Sequence, residues 1–121
     1  MSKVKVQCII QNPDDKEHII TKGIKKGSTL SFYDDQHVKH ALTFSGESLR
    51  YVKTGSIEMD FLFEKEAVHP GVYRIKEGAF HFKVITRHLS ITDRVIHVDY
   101  VLKQEDLVVN RGHLHVTYEE I

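Results

Sequence analysis

The segment Val95-Ile96-His97-Val98-Asp99-Tyr100-Val101-Leu102-Lys103-Gln104-Glu105-Asp106-Leu107-Val108-Val109-Asn110-Arg111-Gly112-His113-Leu114-His115-Val116-Thr117-Tyr118 decides the fold. In its first half Ile96, Val98, Tyr100 and Leu102 alternate with Val95, His97, Asp99 and Val101. In its second half Leu114, Val116 and Tyr118 alternate with His113, His115 and Thr117. Period two is the period of a strand, whose successive side chains point to opposite faces. A short polar turn centred near Glu105 joins the halves. The segment therefore reads as an antiparallel hairpin with one dry face and one wet face.

The same pattern recurs upstream. Val4, Val6, Cys8 and Ile10 alternate with more polar neighbours, as do Val38, His40, Leu42 and Phe44, and then Ile57, Met59, Phe61 and Phe63. Weaker runs cover 17–24, 29–34, 49–54, 72–76 and 79–87. Between them lie glycines 23, 27, 46, 55, 71, 78 and 112 and the polar stretches Asn12-Pro13-Asp14-Asp15 and Asp34-Asp35. Turn signals this frequent, with about ten short strands between them, mark an all-β sandwich or barrel. Phe63 to Val68 is the best helical stretch and is too short to matter. Nearly every link is hairpin-sized, so the expected architecture is a single antiparallel up-and-down β-barrel of about 8–10 strands. A two-sheet sandwich is the second choice. No shift of composition or linker divides the chain, and residues 1–121 are expected to form one domain.

At 121 residues, with 40% hydrophobic and 28% charged, the chain is an ordinary globular one, long enough to bury roughly two-thirds of its unfolded surface. Lys plus Arg and Asp plus Glu both total 17. Such a balance provides no global field to attract nucleic acid or acidic lipid. No apolar run approaches the ~18 residues of a membrane span, and Met1 to Val6 lacks the apolar stretch of a signal peptide. Cys8 is the single cysteine and has no internal partner, which suits a reducing compartment. The expectation is a cytoplasmic protein with neither a membrane nor a nucleic-acid partner.

Several pieces, in order, carry a family likeness: Ser31-Phe32-Tyr33-Asp34; Lys53-Thr54-Gly55-Ser56-Ile57-Glu58-Met59 with Phe61 and Phe63; Gly71-Val72-Tyr73; Gly78 with Phe82-Lys83-Val84-Ile85-Thr86 and Leu89; Ile96 to Leu102; and His115-Val116-Thr117-Tyr118. In these the chain resembles the bacterial YwiB-like family of small β-barrel proteins of unknown function. The resemblance implies a calycin-type barrel, like the lipocalins and fatty-acid-binding proteins. It transfers no catalytic or ligand-binding residue. Lys53 stands where the family pattern has an arginine, so the bidentate fork for a carboxylate is missing there. Lys76-Glu77 likewise replaces threonine and proline before Gly78. The chain has no tryptophan, which removes the glycine-x-tryptophan signature of true lipocalins.

Three groups of residues can carry chemistry. The inward face of the barrel is aromatic: His40, Phe44, Tyr51, Phe61, Phe63, Phe82 and Tyr100 are the candidate lumen ligands, with Phe32 and Tyr118 also turned in. A barrel of this size is filled by its own side chains or holds one small ligand. The nine histidines form the second group. His97, His113 and His115 fall on one wet face of the last hairpin, beside Asp99, at a spacing that suits Zn²⁺ or Ni²⁺. Solvent-facing histidines are the plainer reading there, and no metal or other cofactor is expected. Nucleophiles are the third group and give little, since Cys8 lies on an apolar face and no serine elbow occurs. Catalysis is not the favoured reading. The expected function is a non-enzymatic barrel binding a small apolar or amphipathic molecule in its lumen; the alternative is a filled barrel acting through its outer surface as a homodimer or partner module.

Overall fold

Alternation in sequence becomes alternation in burial. In β1 (Ser2–Asn12) Val4, Val6 and Cys8 are buried while Lys3, Lys5 and Gln7 are exposed. The computed structural model describes residues 1–121, all ten strands being β: after β1 come β2 (Asp15–Lys26), β3 (Thr29–Tyr33), β4 (Lys39–Ser45), β5 (Ser48–Thr54), β6 (Glu58–Glu64), β7 (Val68–Ile75), β8 (Gly78–Thr92), β9 (Val95–Gln104) and β10 (Leu107–Glu120). Each strand pairs antiparallel with its predecessor, and β1 also pairs with β10, which closes the barrel. The expected up-and-down barrel is what forms. The short helical stretch is not: Phe63 and Glu64 end β6, and a turn with Glu66 at φ 63° follows.

Closure is uneven. β2 pairs with β3 only over Gly23–Lys26, because β3 ends at Tyr33 and the chain turns away. β6 pairs with β7 only over Glu58–Asp60. Pro70 in β7 has no N–H to offer a ladder, which is the usual condition for proline in a sheet. These two lapses leave seams in the barrel wall.

Two bulges reset the pleat. In β8 the pairing skips Arg87, so Thr86 lies opposite Tyr100 and His88 opposite Asp99. A bulge places two residues against one and shifts everything beyond it. Val84 and Thr86 are buried on the inner face, and after the bulge Leu89 and Ile91 take that face instead. His88 is thereby turned out. A second irregularity lies between Val108 and Asn110 in β10.

Rings occupy the middle of the interior. Phe61 meets Phe63 and Phe82 edge to face, with centroids 6.2 Å apart in each case, and Phe63 lies 5.0 Å from Tyr100. Edge-to-face pairs at these separations are favourable beyond their burial. Two glycines make room for them. A Cβ on Gly71 would stand 2.7 Å from both Phe61 and Val84, and one on Gly112 would collide with the Tyr100 ring. Gly112→Ala should therefore destabilise the fold by about 1–3 kcal/mol, the usual cost of overpacking. Urea denaturation checks this, and Tyr100→Leu placed in the Gly112→Ala background should recover part of the loss.

Candidate functional site

At one end of the barrel the loop from β3 to β4 folds over the interior, and Asp34 builds it. Its Oδ1 accepts from the backbone N–H of Gln36 at 2.8 Å and of Val38 at 3.1 Å. An Asx turn of this kind lets the side chain substitute for a backbone ladder. His37 takes up the left-handed conformation, with φ 61°. The second oxygen of Asp34, Oδ2, accepts from His40 Nε2 at 2.9 Å. A carboxylate can only accept, so Nε2 carries the proton and Nδ1 receives the Tyr51 hydroxyl at 2.6 Å. Phe32 stacks on the imidazole at 4.8 Å.

His40 and Tyr51 are buried, Asp34 is half-buried, and all three are joined by hydrogen bonds. Burial pushes the His40 pKa below its ordinary value, against the pull of Asp34. Burial also raises Tyr51 well above the usual phenol range. Asp34 is a balance: burial works to raise it, but the hydrogen bonds from His40, Val38 and Gln36 together hold it below the usual carboxylate value. The group is thus a neutral imidazole between a carboxylate and a phenol. It rigidifies the barrel end.

Lys53 is different. It continues the inward parity of Leu49 and Tyr51 on β5, opposite His40 on one side and Met59 on the other. Its ammonium lies over the Tyr51 ring, 5.6 Å from the centroid, and it has no hydrogen bond or ion pair. Burial lowers its pKa, opposed first by the charge of Glu17. Glu17 sits on the rim at the start of β2 and also acts on Tyr73, whose pKa is raised chiefly by burial. Beside this mouth the seam between β2 and the β3–β4 loop opens a cleft of about 360 Å³, walled by Glu17 to Thr21 and by Tyr33 to Asp35. This end therefore gathers one unpaired cation, Lys53, the carboxylates of Glu17 and Asp34, and the phenols of Tyr51 and Tyr73.

The residues expected in the lumen divide between these environments. Tyr51 and His40 belong to the hydrogen-bonded end, Phe61, Phe63, Phe82 and Tyr100 fill the middle, and Phe44 packs against the core from the opposite end. Lys53, Glu17 and Asp34 complete the mouth and were not singled out from sequence as site residues. A lysine at an inward parity was the available signal for Lys53.

The outer wall carries the histidine cluster. His97 lies opposite His115, and His113 opposite Asp99. Asp99 Oδ1 lies 3.2 Å from His97 Nε2 and accepts from His113 Nδ1. His88, turned out by the bulge, packs 5.3 Å from His97, and His115 lies 5.9 Å from it on the other side.

Fold and site together define a small closed β-barrel, plugged by its own aromatics and polar at one mouth. Residues 3–116 match the family described as Domain of unknown function (DUF1934), and the chain belongs to that family. The crystal structure of ywiB protein from Bacillus subtilis has the same fold: TM-score 0.71 at 20% identity, covering 98% of this chain and 90% of that one. The likeness to the YwiB-like family expected from the sequence is thereby borne out. No curated protein matches the chain, and no helix in it is long and apolar enough to cross a membrane.

The depressed pKa of His40 has a signed consequence. On acidification the unfolded chain binds a proton at this histidine before the folded one does, so stability is present above the ordinary histidine pKa and is lost as pH falls through the folded value. For one proton the slope is at most ~1.4 kcal/mol per pH unit. Urea midpoints measured from neutral to mildly acidic pH should show this decline, and His40→Gln should flatten it.

Proposed function

We propose that this barrel binds one small amphipathic molecule at its polar mouth, the anionic end of the ligand resting against Lys53. The observation that carries the reading is the unpaired ammonium of Lys53 on an inward face. A partly desolvated charge without a partner is costly, and a site that keeps one is a candidate binding site. Met59 lies across from Lys53 and Tyr73 across from Met59, which sets apolar side chains beside the ammonium. Because aromatics plug the middle of the barrel, the ligand occupies the mouth and not the full lumen, a shallower version of the single-ligand barrels of calycin type. Binding without turnover is favoured, since the one thiol is buried and pushed up to about 12. A free buried thiol also accords with a reducing, cytoplasmic setting.

Untagged protein taken from its own cells, examined by native mass spectrometry, should carry an added organic mass that leaves on denaturation. Titration calorimetry with octanoate as a plain amphipathic anion should show binding, weakened roughly tenfold or more by Lys53→Met, about 1.4 kcal/mol. That variant should fold at least as stably, because it removes a desolvated charge. A clean mass together with no octanoate binding overturns the proposal.

A second reading is carried by a separate observation. Ile24, Tyr33 and Ile121 are exposed around a cleft of about 460 Å³ on the β1–β3 wall, and apolar surface of this kind marks interfaces. On this reading the barrel pairs with a second copy of itself. Sedimentation should then give a dimer that Ile24→Glu dissociates, and a monomer at high concentration rules it out.

A further inference from the structure

The strongest chemistry outside the mouth lies on the outer wall of β9 and β10. We propose that His97, Asp99 and His113 form a binding site for a divalent transition-metal ion, Zn²⁺ foremost, with His115 beside it. One ligand atom from each of the first three residues lies within 4.8 Å of the others. Zinc holds imidazole nitrogen and carboxylate oxygen at roughly 2.0–2.2 Å, and tetrahedral ligands about such an ion are a little over 3 Å apart. The Asp99 Oδ1 to His97 Nε2 separation is already 3.2 Å. Small side-chain rotations therefore suffice to admit the ion.

The donor set decides the class of metal. Two or three imidazoles with one carboxylate suit zinc, nickel and copper, whereas magnesium and calcium require mostly oxygen. The framework is rigid, because all four residues stand on two paired strands of a closed sheet: His97 faces His115, and Asp99 faces His113. His88 packs on the far side of His97 and restrains that ring. The cluster opens on a surface cleft of about 370 Å³ that Gln11 and Lys16 also line. The Lys16 ammonium works against a cation there, and the Asp99 carboxylate offsets it. With three protein ligands the fourth position is open to water, as in catalytic zinc sites; with His115 engaged the site is closed and pins β9 to β10.

The test uses the full untagged chain, stripped with chelator, titrated with Zn²⁺ alone against a zinc-responsive indicator near neutral pH. The expected result is one ion per chain at micromolar affinity or tighter, with a rise in melting temperature on loading. His113→Ala and Asp99→Ala should each weaken binding by about tenfold or more, while His81→Ala, on a different part of the wall, should not. The His97, His113 and Asp99 side chains are 40%, 59% and 29% exposed, and melting curves of the variants without metal check that each keeps the fold. No uptake at micromolar zinc overturns the proposal. So does uptake that the His97→Ala/His113→Ala double variant keeps.

Discussion

A closed barrel of this size has an interior that must be filled with side chains to the density of a crystal, because any void forfeits dispersion contacts on every side. Here the filling is aromatic, and the backbone yields to it. Gly71 sits beneath Phe61 and Gly112 beneath Tyr100, where no side chain could stand. The seam between β6 and β7 lies next to this crowding, at Pro70 and Gly71, where the ladder lapses. The same packing decides where function can reside. With the middle occupied by Phe61, Phe63, Phe82 and Tyr100, the charged groups of the inner face gather at the end covered by the β3–β4 loop, while Thr86 on the inner face is spent on the backbone N–H of Glu64.

That end contains two polar groups in opposite conditions. Asp34, His40 and Tyr51 are each other's partners, and every buried donor and acceptor among them is used. Satisfied networks of this kind rigidify a core and specify one arrangement of it. Lys53, one residue pair away, has lost part of its hydration and received no partner in exchange. The first is a closed hydrogen-bonded set and the second a cation without a side-chain partner.

Much of the fold was legible because alternation is a local property. The inward parity of Val4, Val6 and Cys8, of Leu42 and Phe44, and of Phe61 and Phe63 follows from period two alone. All seven residues expected in the lumen do face inward. Their environment was not legible, since parity says which side a ring is on and not how tightly it is packed. That His97 meets His113 or His115 across a hairpin centred near Glu105 was legible from parity, but the bulge between Val108 and Asn110 decided that His97 faces His115 and Asp99 faces His113. His88 escaped this reading. By unbroken parity from Val84 and Thr86 it belongs inside, and only the bulge at Arg87 turns it onto the histidine face. Asp34 was visible as a turn residue, but the reach of its second oxygen to His40 depends on how the loop folds back.

By itself, then, the sequence determined that this chain is all-β, which residues share a face along each strand, and which strands meet through short turns. These rest on backbone geometry over a few residues. Tertiary structure decided the closure of β1 on β10, the two seams, the bulge that moves His88, the plugging of the barrel centre and the isolation of Lys53 at its mouth. Each of these depends on how rings from distant strands divide one limited volume, and no local pattern carries that information.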